Sequence, residues 1–221
     1  MTSPRSVVLI APVRTAIGTF GGSLKEIPAP DLGAVAIKAA VARARIDPEE
    51  VGTVVMGNVV QAGAKMNPAR QAAIHAGLPV SVPAMTANRV CGSGAQAIVS
   101  AAQEILLGAV EAAVAGGMEN MDLATYLIAR GRWGYRMGDG QLYDSMLRDG
   151  LNDAFSDEAS GWHTEDLVRE FQVGRDAQDR WALRSQQRFA AAQAAGRFED
   201  EMVMPRLREL NPEHRKAAAA E

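Results

Sequence analysis

Short β-branched runs alternate with stretches of helical period along the first half of the chain. Ser6–Ile10 (SVVLI) is a short β-branched run ended by Pro12, which predicts a buried strand. Asp31 stands where a helix cap would, ahead of Leu32, Val35, Ala36, Ala39 and Ala40 at helical spacing. Asp47-Pro48 breaks that pattern, and Val51–Val60 (VGTVVMGNVV) predicts a second strand. Asn67-Pro68 supplies an N-cap and a proline at the first helical position, and Gly77 predicts the stop of a short helix. Val82–Val90 predicts a third strand, with Cys91 directly after it. Gly92-Ser93-Gly94 then opens a helix whose apolar face carries Ala95, Ile98, Val99, Ala102, Ile105 and Leu106, closed at Gly108. Glu111–Ala115 predicts a fourth strand running into a Gly116-Gly117 turn. Strand, helix and strand within about thirty-five residues is βαβ spacing, so the fold class is α/β with a mainly parallel sheet.

After Glu119 the pattern loosens. Gly131, Trp133, Gly134, Tyr135, Gly138, Asp139 and Gly140 fall in a loop-rich stretch, with a short helical piece at Leu142–Arg148. Asp176–Ala195 is the clearest helix of the second half, and Gly196 follows it. The last residues, NPEHRKAAAAE, have no apolar period and read as a tail. The expected division is 1–119 for the α/β unit, 120–204 for a loop-rich, mostly helical insertion, and 205–221 for the tail.

Composition narrows the function classes. The 221 residues are 48% hydrophobic and 22% charged, an ordinary globular balance that excludes wholesale disorder. A net charge of −3 without a basic block argues against nucleic-acid binding. One cysteine excludes an internal disulfide framework and any metal site built on several thiolates. The longest uncharged stretch, Gln71–Asn88, contains Pro79, Pro83 and His75 and is no membrane span. The N-terminus lacks the apolar run of a secretion signal, so a soluble cytoplasmic protein is the expectation.

Cys91 is where chemistry enters. A helix N-terminus aims unpaired N–H groups and positive dipole at the sulfur, favouring thiolate, and the same groups could hold an oxyanion. Gly92 and Gly94 leave room for a substrate to approach. The competing reading is a buried cysteine packed as a small hydrophobe. Spacing does not choose between them.

Several motifs together do. Asn88–Ala95 (NRVCGSGA) resembles the nucleophile motif of thiolases, the acyl-CoA C-acyltransferases. Arg14–Leu24 (RTAIGTFGGSL), Gly57–Gly63 (GNVVQAG), Asn67–Gln71 (NPARQ) and Ala115–Asn120 (AGGMEN) are similar to stretches of the same family in the same order. So are Asp149–Phe155 (DGLNDAF), Ser185–Arg188 (SQQR) and Gly196–Glu201 (GRFEDE), and the resemblance covers nearly all of residues 5–204. It implies a layered α/β fold of two similar halves, a loop domain inserted in the first, and a ping-pong reaction through an acyl-cysteine. Cys91 matches the acylated cysteine, and Leu151 a position lining the pantetheine and acyl pocket. Coenzyme A thioesters are the implied substrates, with no cofactor or metal, fatty acid metabolism the implied setting, and an oligomer the implied assembly.

The chain also departs from the pattern. The family's G-H-P, C-x-G-G-G and N-E-A-F motifs, which carry its activating histidine, its acid/base cysteine and an asparagine that orients a catalytic water, do not occur in it. Claisen chemistry needs a base at the second substrate's α-carbon besides a nucleophile, and one cysteine cannot fill both roles. His75 reads as a structural or surface residue and His214 lies in the tail. His163 falls four positions beyond the histidine of the family's H-M-G-x-T-A-E stretch, where Ala159 and Ser160 stand instead; Gly161 and Glu165 match. His163 is carried over on that basis as a substrate-binding residue. The expectation is therefore the nucleophile half of a thiolase, the C-terminal half being absent, after Met204 either truncated or frame-altered, or paired with a chain that carries the second half. Such a half should expose apolar surface and associate. The alternatives are a non-catalytic subunit of a heteromeric thiolase-like complex, or a ketoacyl-synthase-like protein with a similar cysteine corner.

Overall fold

The computed structural model describes residues 5–204, so the expected tail lies outside the described residues. Its centre is a three-stranded parallel sheet formed by β2 (Thr53–Gly57), β3 (Ala84–Ala87) and β4 (Ala113–Gly117), in the order β3-β2-β4. Val54 pairs with Ala84 on one side and Val114 on the other. All five residues of β2 are buried, because helices cover both faces of a central parallel strand. Alternation sorts them by face. Val54 and Met56 join a cluster with Ile37, Val41, Ala69, Ala72 and Ala73, whereas Val55 packs with Ala97 and Ala101.

The helices supplying those faces are α1 (Ala29–Ala44) and α2 (Pro68–His75) on one side, α3 (Ser93–Leu106) on the other. The α2 boundaries follow the sequence. Asn67 Oδ1 accepts the Arg70 N–H at 3.2 Å, and Gly77 sits at a φ of 90°, which glycine adopts without steric cost. α1 starts earlier than expected, at Ala29. Pro30 fits its first turn because no helical acceptor needs that missing N–H. Asp31 is thus no cap. It is buried inside the first turn, where its Oδ1 lies 2.7 Å from His75 Nδ1 and ties α1 to α2. His75 accordingly has a structural partner.

Ser6–Ile10 is not a strand. Val8 and Leu9 are both 75% exposed, and among the described residues no backbone hydrogen bond pairs this segment with a neighbour. β-branched residues fit a pleated surface only when a partner edge exists. Val7–Val13 instead flanks a cleft of about 370 Å³ along β4. The first strand, β1 (Arg14–Thr15), forms further on and pairs in parallel with β7 (Met202–Val203).

Past β4, the hairpin of β5 (Tyr126–Ile128) and β6 (Leu142–Asp144) replaces the first part of the helical piece expected at Leu142–Arg148. A wide helical turn, Leu147–Leu151, follows it. α4 (Ser160–Glu170) had no clear sequence signal, while α5 (Arg175–Ala194) matches its expected limits to within a residue. Neither α4 nor α5 buries a residue. Val99 and Leu106 on α3 are exposed, as is Leu107 just after it, to 84%, so the expected uncovered apolar surface is present.

Among the described residues no helix is long and apolar enough to cross a membrane.

Candidate active site around Cys91

β3 delivers the chain to Asn88, and α3 carries it away from Ser93; between them lie Arg89, Val90, Cys91 and Gly92. Side chains as well as backbone close this corner. Asn88 Oδ1 accepts the Val90 N–H at 3.0 Å, and Ser93 Oγ accepts the Arg89 N–H at 2.8 Å. Ser93 also donates to the Val90 carbonyl, from its hydroxyl at 2.6 Å and from its N–H at 3.0 Å. Val90 has a φ of 49°, a left-handed conformation that costs a β-branched residue energy and persists only where neighbours impose it. Cys91 follows that bend and is exposed. The sulfur is therefore open to a reagent or substrate, which the buried-hydrophobe reading does not allow.

The start of α3 rests on the backbone of β2. A Cβ built on Gly57 would lie 2.6 Å from the Ser93 carbonyl carbon and 2.7 Å from the Gly94 nitrogen. A Cβ on Gly117 would lie 3.4 Å from the Gly94 Cα. Gly116 and Gly117 accordingly end strand β4 rather than form the expected turn, and Gly117 gives α3 its close approach. Gly92 leaves less spare room than expected, since a side chain there would press on the Arg89 carbonyl at 3.3 Å.

Glu119 and Asn120, just beyond β4, tie the surroundings together. The Glu119 carboxylate accepts from Asn58 Nδ2 and the Val59 N–H, each at 2.7 Å, and from the Val60 N–H at 3.4 Å. Asn120 Nδ2 donates to the carbonyls of Leu24, Lys25 and Ile27 at 3.1, 3.2 and 2.7 Å, fixing the loop after β1. That loop and residues 117–122 enclose a cleft of about 500 Å³. Burial raises the Glu119 carboxyl above its ordinary value, and the hydrogen bonds from Val59, Val60 and Asn58 only partly offset that. As pH rises from the ordinary value through the raised one, the unfolded chain ionises first while the native state keeps its proton. Stability from this group is therefore greatest in acid and declines across that window. Glu119→Gln removes the titration, so its urea midpoint should fall less than the parent's between those two pH values; parallel profiles would sink this assignment.

The other expected site residues lie elsewhere. Leu151 ends the wide helical turn, where a Cβ on the adjacent Gly150 would lie 3.2 Å from Val60 Cγ2. The turn thus packs on the loop that Glu119 holds. His163 is on α4, its Nε2 3.0 Å from Ser156 Oγ. Hydrogen bonds from Ser156 and Phe155, with a smaller contribution from His163, hold the Asp153 carboxyl below its ordinary range. Among the described residues no hydrogen bond or ion pair joins His163 or Leu151 to Cys91. Sequence reading missed Asn88 and Ser93 as supports of the corner, and Glu119 and Asn120 as ties of its surroundings. The signal for Asn88 was in plain view, an Asx residue two positions before a residue whose N–H it could take.

Residues 7–216 match the family model described as "Thiolase, N-terminal domain". The chain is 52% identical over 197 residues to the acetyl-CoA acetyltransferase of Cupriavidus necator, covering 89% of this chain and 50% of that protein. It is 50% identical over 200 residues to the acetyl-CoA acetyltransferase of Escherichia coli, covering 90% and 51%. A probable acetyl-CoA acyltransferase of Staphylococcus epidermidis is 48% identical over 197 residues, with 89% and 50% covered. The chain thus spans about half the length of these curated relatives. An α/β unit with its cysteine at the strand-to-helix corner, matched along nearly its whole length by one family model, belongs to the thiolase family.

Proposed function

We propose that this chain carries the nucleophile of a thiolase-type acyl-CoA C-acyltransferase, and that Cys91 forms the acyl-enzyme. The observation that carries this reading is the exposed Cys91 after a left-handed Val90, two residues before α3 begins, in a chain about 50% identical to proteins named acetyl-CoA acetyltransferase. The sulfur attacks the thioester carbonyl of acetyl-CoA, or the 3-keto carbonyl of a 3-ketoacyl-CoA. A new carbon–sulfur bond forms at Cys91 and the bond to the leaving group breaks: the carbon–sulfur bond of acetyl-CoA, releasing coenzyme A thiolate, or the C2–C3 bond of the 3-ketoacyl-CoA, releasing the enolate of acetyl-CoA. The thiol proton passes to a base. Backbone N–H groups at the corner hold the oxyanion.

The rest of the cycle is assigned to residues outside positions 1–221. Cys91 lacks a histidine partner among the described residues, and the G-H-P and C-x-G-G-G motifs lie outside this sequence. A second thiolase half is proposed to cover the exposed apolar residues of α3, in a cytoplasmic oligomer. Residues 1–119 form the α/β half in this scheme, 120–204 the inserted loop domain with Leu151 and His163 on the substrate path, and 205–221 a tail.

Brief incubation with acetyl-CoA followed by intact-protein mass tests the central step. One acetyl adduct on the parent chain and none on Cys91→Ala is the expected result. Labelling of the parent by a small thiol reagent, without any acetyl adduct, would remove acyl transfer from this chain alone.

A further inference from the structure

Little packing holds the bend that presents Cys91. Val90 is 53% exposed and sits at a φ of 49°, so hydrogen bonds rather than buried contacts keep it left-handed. Two side chains make those bonds. Ser93 takes the Val90 carbonyl, as its place in the first turn of α3 allows. Asn88 takes the N–H, and the other end of its carboxamide reaches across to a different strand's extension, Nδ2 donating to the Val59 carbonyl at 3.4 Å. Val59 is in turn held from its N–H by the half-buried Glu119 carboxylate at 2.7 Å. A chain of hydrogen bonds therefore runs from the end of β4 through Val59 and Asn88 to the peptide before the nucleophile.

We propose that Asn88 is a positioning residue for Cys91, acting through Val90, and that Glu119 anchors the Val59 backbone on which Asn88 leans. Without the Asn88 carboxamide, Val90 returns to the ordinary negative-φ region. The peptide joining it to Cys91 then rotates, and the sulfur leaves its place at the head of α3. Its consequence for catalysis rests on the acyl-Cys91 reading; the geometry of the bend does not. Asn88 is exposed, so truncating it removes little packing.

The test compares the parent, Asn88→Ala and Asn88→Ser in two assays at one pH. Alkylation of Cys91 by iodoacetamide reports how the sulfur is presented, and acetyl-CoA reports acyl transfer. Asn88→Ala should slow both about five- to ten-fold, the factor that one lost hydrogen bond corresponds to, with the urea midpoint lowered by no more than that one bond and unfolding still cooperative. Serine can accept the same N–H two residues on, so Asn88→Ser should recover most of the rate. A parental alkylation rate in Asn88→Ala overturns the proposal, and so does a serine variant as slow as the alanine one. If the parent takes iodoacetamide but no acetyl group, the acyl-enzyme reading fails while the three alkylation rates still decide the role of Asn88.

Discussion

Gly57→Ala should destabilise the chain by about 3 kcal/mol and slow every reaction of Cys91. Its added methyl would meet the carbonyl carbon and Cβ of Ser93 and the nitrogen of Gly94, all within 2.7 Å. Two of these atoms are main chain, so no side-chain tip can swing aside. Gly57 has no positive φ, and the cost is therefore one of space rather than of backbone conformation. Relief requires the first turn of α3 to lift from β2. That in turn loosens Val55 from Ala97 and Ala101, the buried contacts that seat the helix. Overpacking of this kind costs about 1–3 kcal/mol and occasionally more, and a rigid backbone neighbour puts it at the upper end. Against a native stability of about 5–15 kcal/mol the loss is large. Urea unfolding would read the first effect and iodoacetamide labelling the second. A variant with the parental midpoint would mean that α3 does not sit on β2 as described.

Asn120→Ala comes next in size. One carboxamide serves the carbonyls of Leu24, Lys25 and Ile27, while its oxygen accepts the Asp122 N–H at 3.0 Å. Ile27 is 4% exposed, so water cannot readily replace its lost partner. An orphaned buried carbonyl costs about 1–3 kcal/mol, and with two further acceptors weakened the expected loss is about 3 kcal/mol. The effect should also be local. The amides of Gly22, Lys25 and Ile27 bond within the loop that Asn120 pins, and their hydrogen exchange should quicken more than that of β2. Uniform acceleration across the chain, or none in the loop, would contradict this role.

Which parts were legible in the sequence follows from the range of the forces involved. The Asn67 cap, the Gly77 stop and the strand–Cys91–helix corner are set by residues within a few positions of one another, and all three stand as read. Ser6–Ile10 was misread because the same β-branched run becomes a strand or an exposed segment depending on a partner edge far along the chain. Leu142–Arg148 was misread for a related reason, since Tyr126–Ile128 captures its first three residues as a hairpin strand. At the site, Cys91 and its motif were plain. The Glu119, Val59 and Asn88 connection joins positions 60 and 29 residues apart, a spacing that no periodic pattern announces.

The second half of the chain carries a consequence of its own. α5 runs 20 residues without burying one, and the contacts near it gather at its far end. There Phe189 stacks on Phe198 at 5.3 Å, Arg14 lies over the Phe198 ring, and Arg14 bonds Glu201 at 2.7 Å. A helix so tethered takes little cooperativity from the sheet. Its backbone follows a helix–coil equilibrium of its own, set by alanine-rich propensity and pairs such as Arg175 with Asp179. Warming should unwind it gradually from the Arg175 end while the β2 core stays intact, so that the protein loses helicity along a slope before it loses its fold at a step.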